Sequence, residues 1–278
     1  MIAKRLAMLI AIVSVLLPLS NAMYLSVIGP TTATLNNGAT IYLGKVGPGE
    51  SFYVLAQSST TNATGYVVNI GWDQLNATNL PQGWTTQASP LYENPMKIKV
   101  TVPPNANYGL YNITLHAVNV QNYSRLGSIT VTAQVDVSPN VFSLSVQPKS
   151  ISSGPGQPTN LYVTINNTGI SDDPFNISAV GLPAWNVADD VVALHSTKST
   201  YVYPVYVNEP GTYSFNLTVG STTNPALHLS QHINMTASES LLNDYRSVGQ
   251  GVVLSPVIFD PSYELMLFLS YIYKLVIH

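Results

Sequence analysis

Hydrophobic residues along most of this chain recur at every second position. Met96, Ile98, Val100 and Val102 alternate with Lys97, Lys99 and Thr101, the pattern of a strand with one buried and one hydrated face. Leu161, Val163 and Ile165 stand in the same way against Tyr162, Thr164 and Asn166. Tyr111, Ile113 and Leu115, and again Tyr213, Phe215 and Leu217, mark two more such strands. Turn-forming clusters separate the runs: Asn36-Asn37-Gly38, Pro103-Pro104-Asn105 and Glu209-Pro210-Gly211. Short alternating runs bounded by such turns predict an all-β, antiparallel sandwich architecture. No amphipathic helical period interrupts them.

The pattern is written twice. One copy opens on Gly47-Pro48-Gly49, passes Leu80-Pro81 and Trp84, and closes on Gly109 and Tyr111. The other opens on Gly154-Pro155-Gly156, passes Leu182-Pro183 and Trp185, and closes on Gly211 and Tyr213. The spacing between corresponding landmarks is 107, 102 and 102 residues, the size of one small domain. Two tandem β-sandwiches are therefore expected, over residues 23–137 and 138–238. A Gly-x-Tyr placed after a Pro-containing turn and before a strand is similar to the tyrosine corner of immunoglobulin-like sandwiches. That assigns Tyr111 and Tyr213 a structural role, and Trp84 and Trp185 are expected to plug a core or a corner.

At these landmarks the chain resembles the immunoglobulin-like domains associated with alpha-galactosidases and the related CARDB-like adhesion domains of bacterial and archaeal surface proteins. The resemblance is carried by Pro48-Gly49, Leu80-Pro81-Gln82-Gly83-Trp84 and Gly109-Leu110-Tyr111, with the second copy departing at Leu182-Pro183-Ala184-Trp185, which lacks the glycine. It covers about two thirds of the chain and implies tandem immunoglobulin-like domains displayed at a prokaryotic, archaeal-type cell surface. Fold follows from it more directly than function.

The ends read differently. Lys4 and Arg5, an apolar stretch over residues 6–17 and Ser20-Asn21-Ala22 form a secretory signal peptide, residues 1–22; a retained signal anchor is the competing reading. Residues 239–278 form a polar joint followed by a hydrophobic segment. Residues 263–278 read as a short helix whose Leu, Met, Phe, Ile and Tyr side chains surround a narrow stripe of Ser262, Ser270, Lys274 and His278. With Glu264 and Lys274 inside it, this segment falls short of the roughly 20 apolar residues that cross a bilayer. An interfacial helix, a tilted anchor or a surface docking on another subunit are the readings it allows, and membrane association is the expected one.

Composition narrows the partners. Without Lys4 and Arg5 the chain carries 8 basic and 13 acidic residues, net −5 before histidines. No basic run is present, which excludes nucleic acid as the expected partner. Only 8% of the chain is charged, against about 25% in ordinary soluble domains, so Ser, Thr, Asn and Tyr must hydrate the surface. With no cysteine, each sandwich must be held by its own core. Eight Asn-x-Ser/Thr triplets begin at Asn62, Asn76, Asn112, Asn122, Asn166, Asn176, Asn216 and Asn234. Composition alone would generate about 4.5 of them, so glycosylation is an expectation alongside a plainly Asn-rich surface. Alternation turns Asn112 and Asn216 toward solvent.

Catalytic and metal constellations are weak. His228 and His232 sit four residues apart on a strand, roughly 13 Å, too far to share an ion. Asp172-Asp173 and Asp189-Asp190 read as solvated turn acids rather than a calcium loop. No nucleophile elbow or phosphate-binding glycine loop occurs, so no catalytic residue, metal ligand or cofactor is assigned. The expectation is a non-catalytic, exported protein of the cell surface, structural or adhesive, whose partner is a cell-envelope protein or a glycan. Two alternatives stand beside it. Trp72 and Trp84 could stack on sugars in a carbohydrate-binding accessory module, or residues 24–28 or 252–259 could complete a neighbour's sheet in a filament.

Overall fold

The computed structural model describes residues 23–61, 67–68, 71–120, 127–182, 189–239 and 268–269. The expected leader, Trp185 and nearly all of the C-terminal segment lie outside the described residues. The chain divides into two compact units. The first comprises residues up to Val141 together with Thr168–Asp173 and Leu194–Ser196; the second comprises Phe142–Asn167, Pro174–Ala193 and the residues from Thr197.

In the first unit the strands are β1 (Tyr24–Gly29), β2 (Ala33–Asn36), β3 (Thr40–Val46), β4 (Ser51–Ala56), β5 (Thr60–Thr61), β6 (Val67–Val68), β7 (Gln74–Thr78), β8 (Thr85–Gln87), β9 (Met96–Thr101), β10 (Gly109–Val118) and β11 (Ser128–Val137). One sheet has the order β2-β1-β4-β9-β8 and the other β3-β11-β10-β7, with β5 and β6 forming a separate ribbon. The period of two places alternate residues of each strand in one hydrophobic cluster. Val27, Phe52, Val54 and Ile98 enter it from one sheet; Leu43, Leu75, Ile113, Leu115 and Val131 enter it from the other. Two sheets sharing one apolar interior define a β-sandwich.

The second unit contains β12 (Phe142–Gln147), β13 (Ser150–Ser153), β14 (Thr159–Asn167), β15 (Asp173–Val180), β16 (Asp189–Ala193), β17 (Lys198–Val205), β18 (Gly211–Ser221) and β19 (His228–Ala237). Its sheets are β12-β14-β17 and β13-β19-β18-β15-β16. Strands β12, β14 and β17 therefore stand where β1, β4 and β9 stand, and β13, β19, β18 and β15 where β3, β11, β10 and β7 stand. The Phe142 and Phe175 rings, 4.6 Å apart, join the two sheets. Gln231 of β19 reaches the main chain of β12, accepting from the Val146 N–H at 2.9 Å and donating to its carbonyl at 3.0 Å.

One feature departs from the purely antiparallel expectation. β3 runs parallel to β11, and β13 parallel to β19. In each unit a strand joins the sheet opposite β1 or β12 and lies beside the last strand. Alternation describes which face a strand buries, not which strand it lies beside. The units also differ at an edge: β8 covers β9, whereas among the described residues β17 has β14 as its strand partner and β16 extends the other sheet.

Candidate functional site

The repeated landmarks do structural work in both units. After β3, the Glu50 N–H donates to the Gly47 carbonyl at 3.2 Å, and the Gly47 N–H donates to Glu50 Oε2 at 2.7 Å. Before β14, the Gln157 N–H donates to the Gly154 carbonyl and the Gly154 N–H to Gln157 Oε1, both at 3.1 Å. At the closing landmark, the Tyr111 hydroxyl donates to the Asn107 carbonyl and the Tyr213 hydroxyl to the Glu209 carbonyl, each at 2.9 Å. Each bond ties the start of a long strand to the turn before it. Trp84 is 6% exposed and packs on Tyr111 with ring centroids 5.5 Å apart. The turn that inserts it runs through Gly83 at φ +81°, and the Trp84 N–H donates to the Pro81 carbonyl at 3.1 Å.

These positions correct the sugar-stacking expectation. Trp72 is completely buried, and its indole N–H donates to the Tyr24 carbonyl at 3.2 Å. Neither Trp72 nor Trp84 offers a ring face to solvent, and a pyranose needs one. Residues 24–28 are likewise not a free donor strand, because β1 is paired with β2 on one side and β4 on the other. Residues 252–259 lie outside the described residues.

Of the acceptor asparagines, Asn112, Asn216 and Asn234 are exposed, while Asn76, Asn166 and Asn176 are half-buried; Asn62 and Asn122 lie outside the described residues. Asn112 and Asn216 both face outward, from β10 and β18, but two positions apart in the alignment of the two copies. Around Asn216 the outer face of β18 and β19 is a ladder of hydroxyls and amides. Ser214 Oγ lies 2.8 Å from His232 Nε2 and 3.2 Å from Asn234 Oδ1. His232 Nδ1 lies 3.2 Å from Asn216 Oδ1, and Thr218 Oγ1 lies 2.9 Å from Ser230 Oγ. The order hydroxyl, imidazole, amide is that of an activated nucleophile, but these side chains stand on an open sheet face where water competes for every bond. His228 and His232 both lie on β19, and His228 Nδ1 is 3.1 Å from the Pro225 carbonyl. Among the described residues no group of three potential metal ligands converges.

A cavity of about 180 Å³ lies in the first unit. Phe52, Leu55 and Ile170 give it apolar walls, and Lys97, Asp172 and His195 supply charge. The Lys97 ammonium sits 3.9 Å from the centre of the Tyr53 ring, within cation–π range. Asp172 Oδ1 accepts from the His195 backbone N–H at 2.8 Å and from its Nδ1 at 2.6 Å. Partial burial works to raise the Asp172 carboxyl, but the two His195 hydrogen bonds and the charges of His195 and Lys97 outweigh it and hold it below the ordinary value. An ionised carboxylate only accepts, so the Nδ1 facing it carries the proton. Among the described residues that line this cavity, the Tyr53 phenol is the one hydroxyl, and no thiol is present.

The adjacent acid contradicts its sequence reading. Asp173 is not a solvated turn residue: it opens β15 and is 2% exposed. Glu50, also 2% exposed, is hydrogen-bonded to it. Burial pushes the Glu50 carboxyl up to about 8; the Gly47 N–H opposes this, and the charge and hydrogen bond of Asp173 reinforce it. Sequence reasoning missed this pair. The available signal was the Glu or Gln that follows the Gly-Pro-Gly turn in both copies.

No family model matches the chain, and no curated protein matches it. Among solved structures, the ASH/PapD-like domain 7 of human CEP192 aligns over 37% of this chain and 89% of its own, at 12% identity and TM-score 0.27. The D00-D0 domain of intimin aligns over 76% and 99%, at 13% identity and TM-score 0.24. A beta-glucosidase from Listeria innocua, in complex with glucose, aligns over 36% of this chain but only 16% of its own, at 14% identity and TM-score 0.26. Likenesses this distant say nothing of activity. The β-sandwich assignment rests on the strand order and register of the sheets themselves.

Proposed function

We propose that this chain is a non-catalytic, exported cell-surface protein built of two tandem immunoglobulin-like sandwiches, residues 23–137 and 138–238. Residues 1–22 direct export and residues 239–278 associate with the membrane. Its role is structural or adhesive, toward a cell-envelope protein or a glycan. Tyr111 and Tyr213 are the tyrosine corners of the two sandwiches. The placement of the turn, the Trp84 plug and the corner supports a relationship to the alpha-galactosidase-associated and CARDB-like surface domains.

The observation that carries this reading is the outer face of β18 and β19. Its exposed side chains are hydroxyls, amides and an imidazole bonded to one another, a surface hydrated without formal charge and bearing the acceptor asparagines Asn216 and Asn234; Asn112 faces outward from β10 of the first unit. Asn112 and Asn216 carry glycans in a host with the machinery. Protease treatment of intact cells is expected to remove the protein, and mass spectrometry of the released peptides to show added hexose mass at Asn112 and Asn216. A chain recovered only from the cell interior would sink the surface reading. Unmodified peptides from a glycosylating host would sink the glycan assignment alone.

A further inference from the structure

Glu50 and Gln157 hold the same place in the two turns and make the same pair of hydrogen bonds. Gln157 presents a neutral amide oxygen to the Gly154 N–H at any pH. Glu50 matches that neutrality only when it carries a proton. Its surroundings demand the proton, because Glu50 and Asp173 are each 2% exposed and hydrogen-bonded together. Two carboxylates are both acceptors, so a bond between them needs one proton. Asp173 is the titratable group whose charge acts on Glu50; Lys97 on β9 and His195 in the Leu194–Ser196 segment act on Asp172 instead.

Asp173 ends the Thr168–Asp173 segment, which two further bonds fasten to the first unit. The Ile170 N–H donates to the Lys45 carbonyl of β3 at 2.8 Å, and Ser171 Oγ donates to the Ser51 carbonyl of β4 at 2.7 Å. We propose that Glu50 and Asp173 form a one-proton latch that holds the Thr168–Asp173 segment on β3 and β4, closed in acid and weakened when the proton leaves.

The sign follows from linkage. Glu50 has an ordinary value of 4.5 and is raised to about 8 in the fold, so the folded state keeps a proton that the unfolded chain has released. The contribution to stability is fully present below 4.5 and is lost as pH rises through about 8.

Urea unfolding of the full chain between pH 5 and pH 9, followed by tryptophan fluorescence, tests the latch against Glu50→Gln. The ratio of unfolding constants, wild type over variant, is expected to rise about tenfold per pH unit up to about pH 8 and then level off. A ratio flat across that range overturns the proposal. Should Glu50→Gln fail to fold, Asp173→Asn serves: removing the neighbouring charge is expected to move the loss of stability to lower pH, and an unmoved profile overturns it equally. Amide exchange supplies a local readout. After correction for intrinsic rates, Ile170 is expected to lose protection above pH 8 in the wild type more than in Glu50→Gln; equal loss counts against the latch.

Discussion

Tyr213 shows how one hydroxyl can be separated from the ring that bears it. The ring stays half-buried while the O–H holds the Glu209 carbonyl, so Tyr213→Phe deletes a hydrogen bond and little else. The expected loss is about 0.5–1 kcal/mol, at the lower end for a net hydrogen bond because water reaches the site; urea titration measures it, and a loss near 3 kcal/mol would mean the hydroxyl supports more than this turn. Trp72→Ala differs in kind, since it empties a fully buried site and is expected to cost about 3–5 kcal/mol. The Trp and Tyr landmarks were legible in the chain because bulky residues at turns repeat. Whether each ring faced water or core was not, because neighbours distant in sequence decide burial. The Glu50 and Asp173 pair was illegible for the same reason: 123 positions separate them.

Strand β3 carries a constraint that belongs to the element rather than to one side chain. Its pairing with β11 slips between Gln134 and Val135, and Gly44 absorbs the slip at φ +129°. A Cβ there would lie 2.5 Å from Ile170 Cγ2, so Gly44→Ala adds a clash to a backbone conformation that side chains resist. Thermal unfolding is expected to show a cost of about 1–3 kcal/mol, a fall of several degrees. Gly38, at φ +79° with open space where a Cβ would go, is the control. Gly38→Asn is expected to stay within about 0.5 kcal/mol, and equal losses at both sites would remove the steric argument. Alternation located β9, β10, β14 and β18 well. It was silent on the parallel pairs, since a period of two records the buried face of a strand and not its neighbour.

Over the whole chain, sparse charge and an apolar end set the expected behaviour. Removing residues 240–278 is expected to leave a chain that floats free of anionic liposomes in a sedimentation assay, while the full chain co-sediments. A detergent-free full chain that is monomeric and indifferent to liposomes would sink the membrane reading; among the described residues no helix is long and apolar enough to cross a bilayer. The sandwich class, the duplication and the turn positions were already present in the order of residues, because alternation, Gly-Pro-Gly and Gly-x-Tyr act within a few positions of one another. Strand order, the covering of Trp72 and the meeting of Glu50 with Asp173 arose only when segments far apart in the chain packed together. Burial and proton sharing depend on the distance between groups in space, and a linear sequence does not hold that distance.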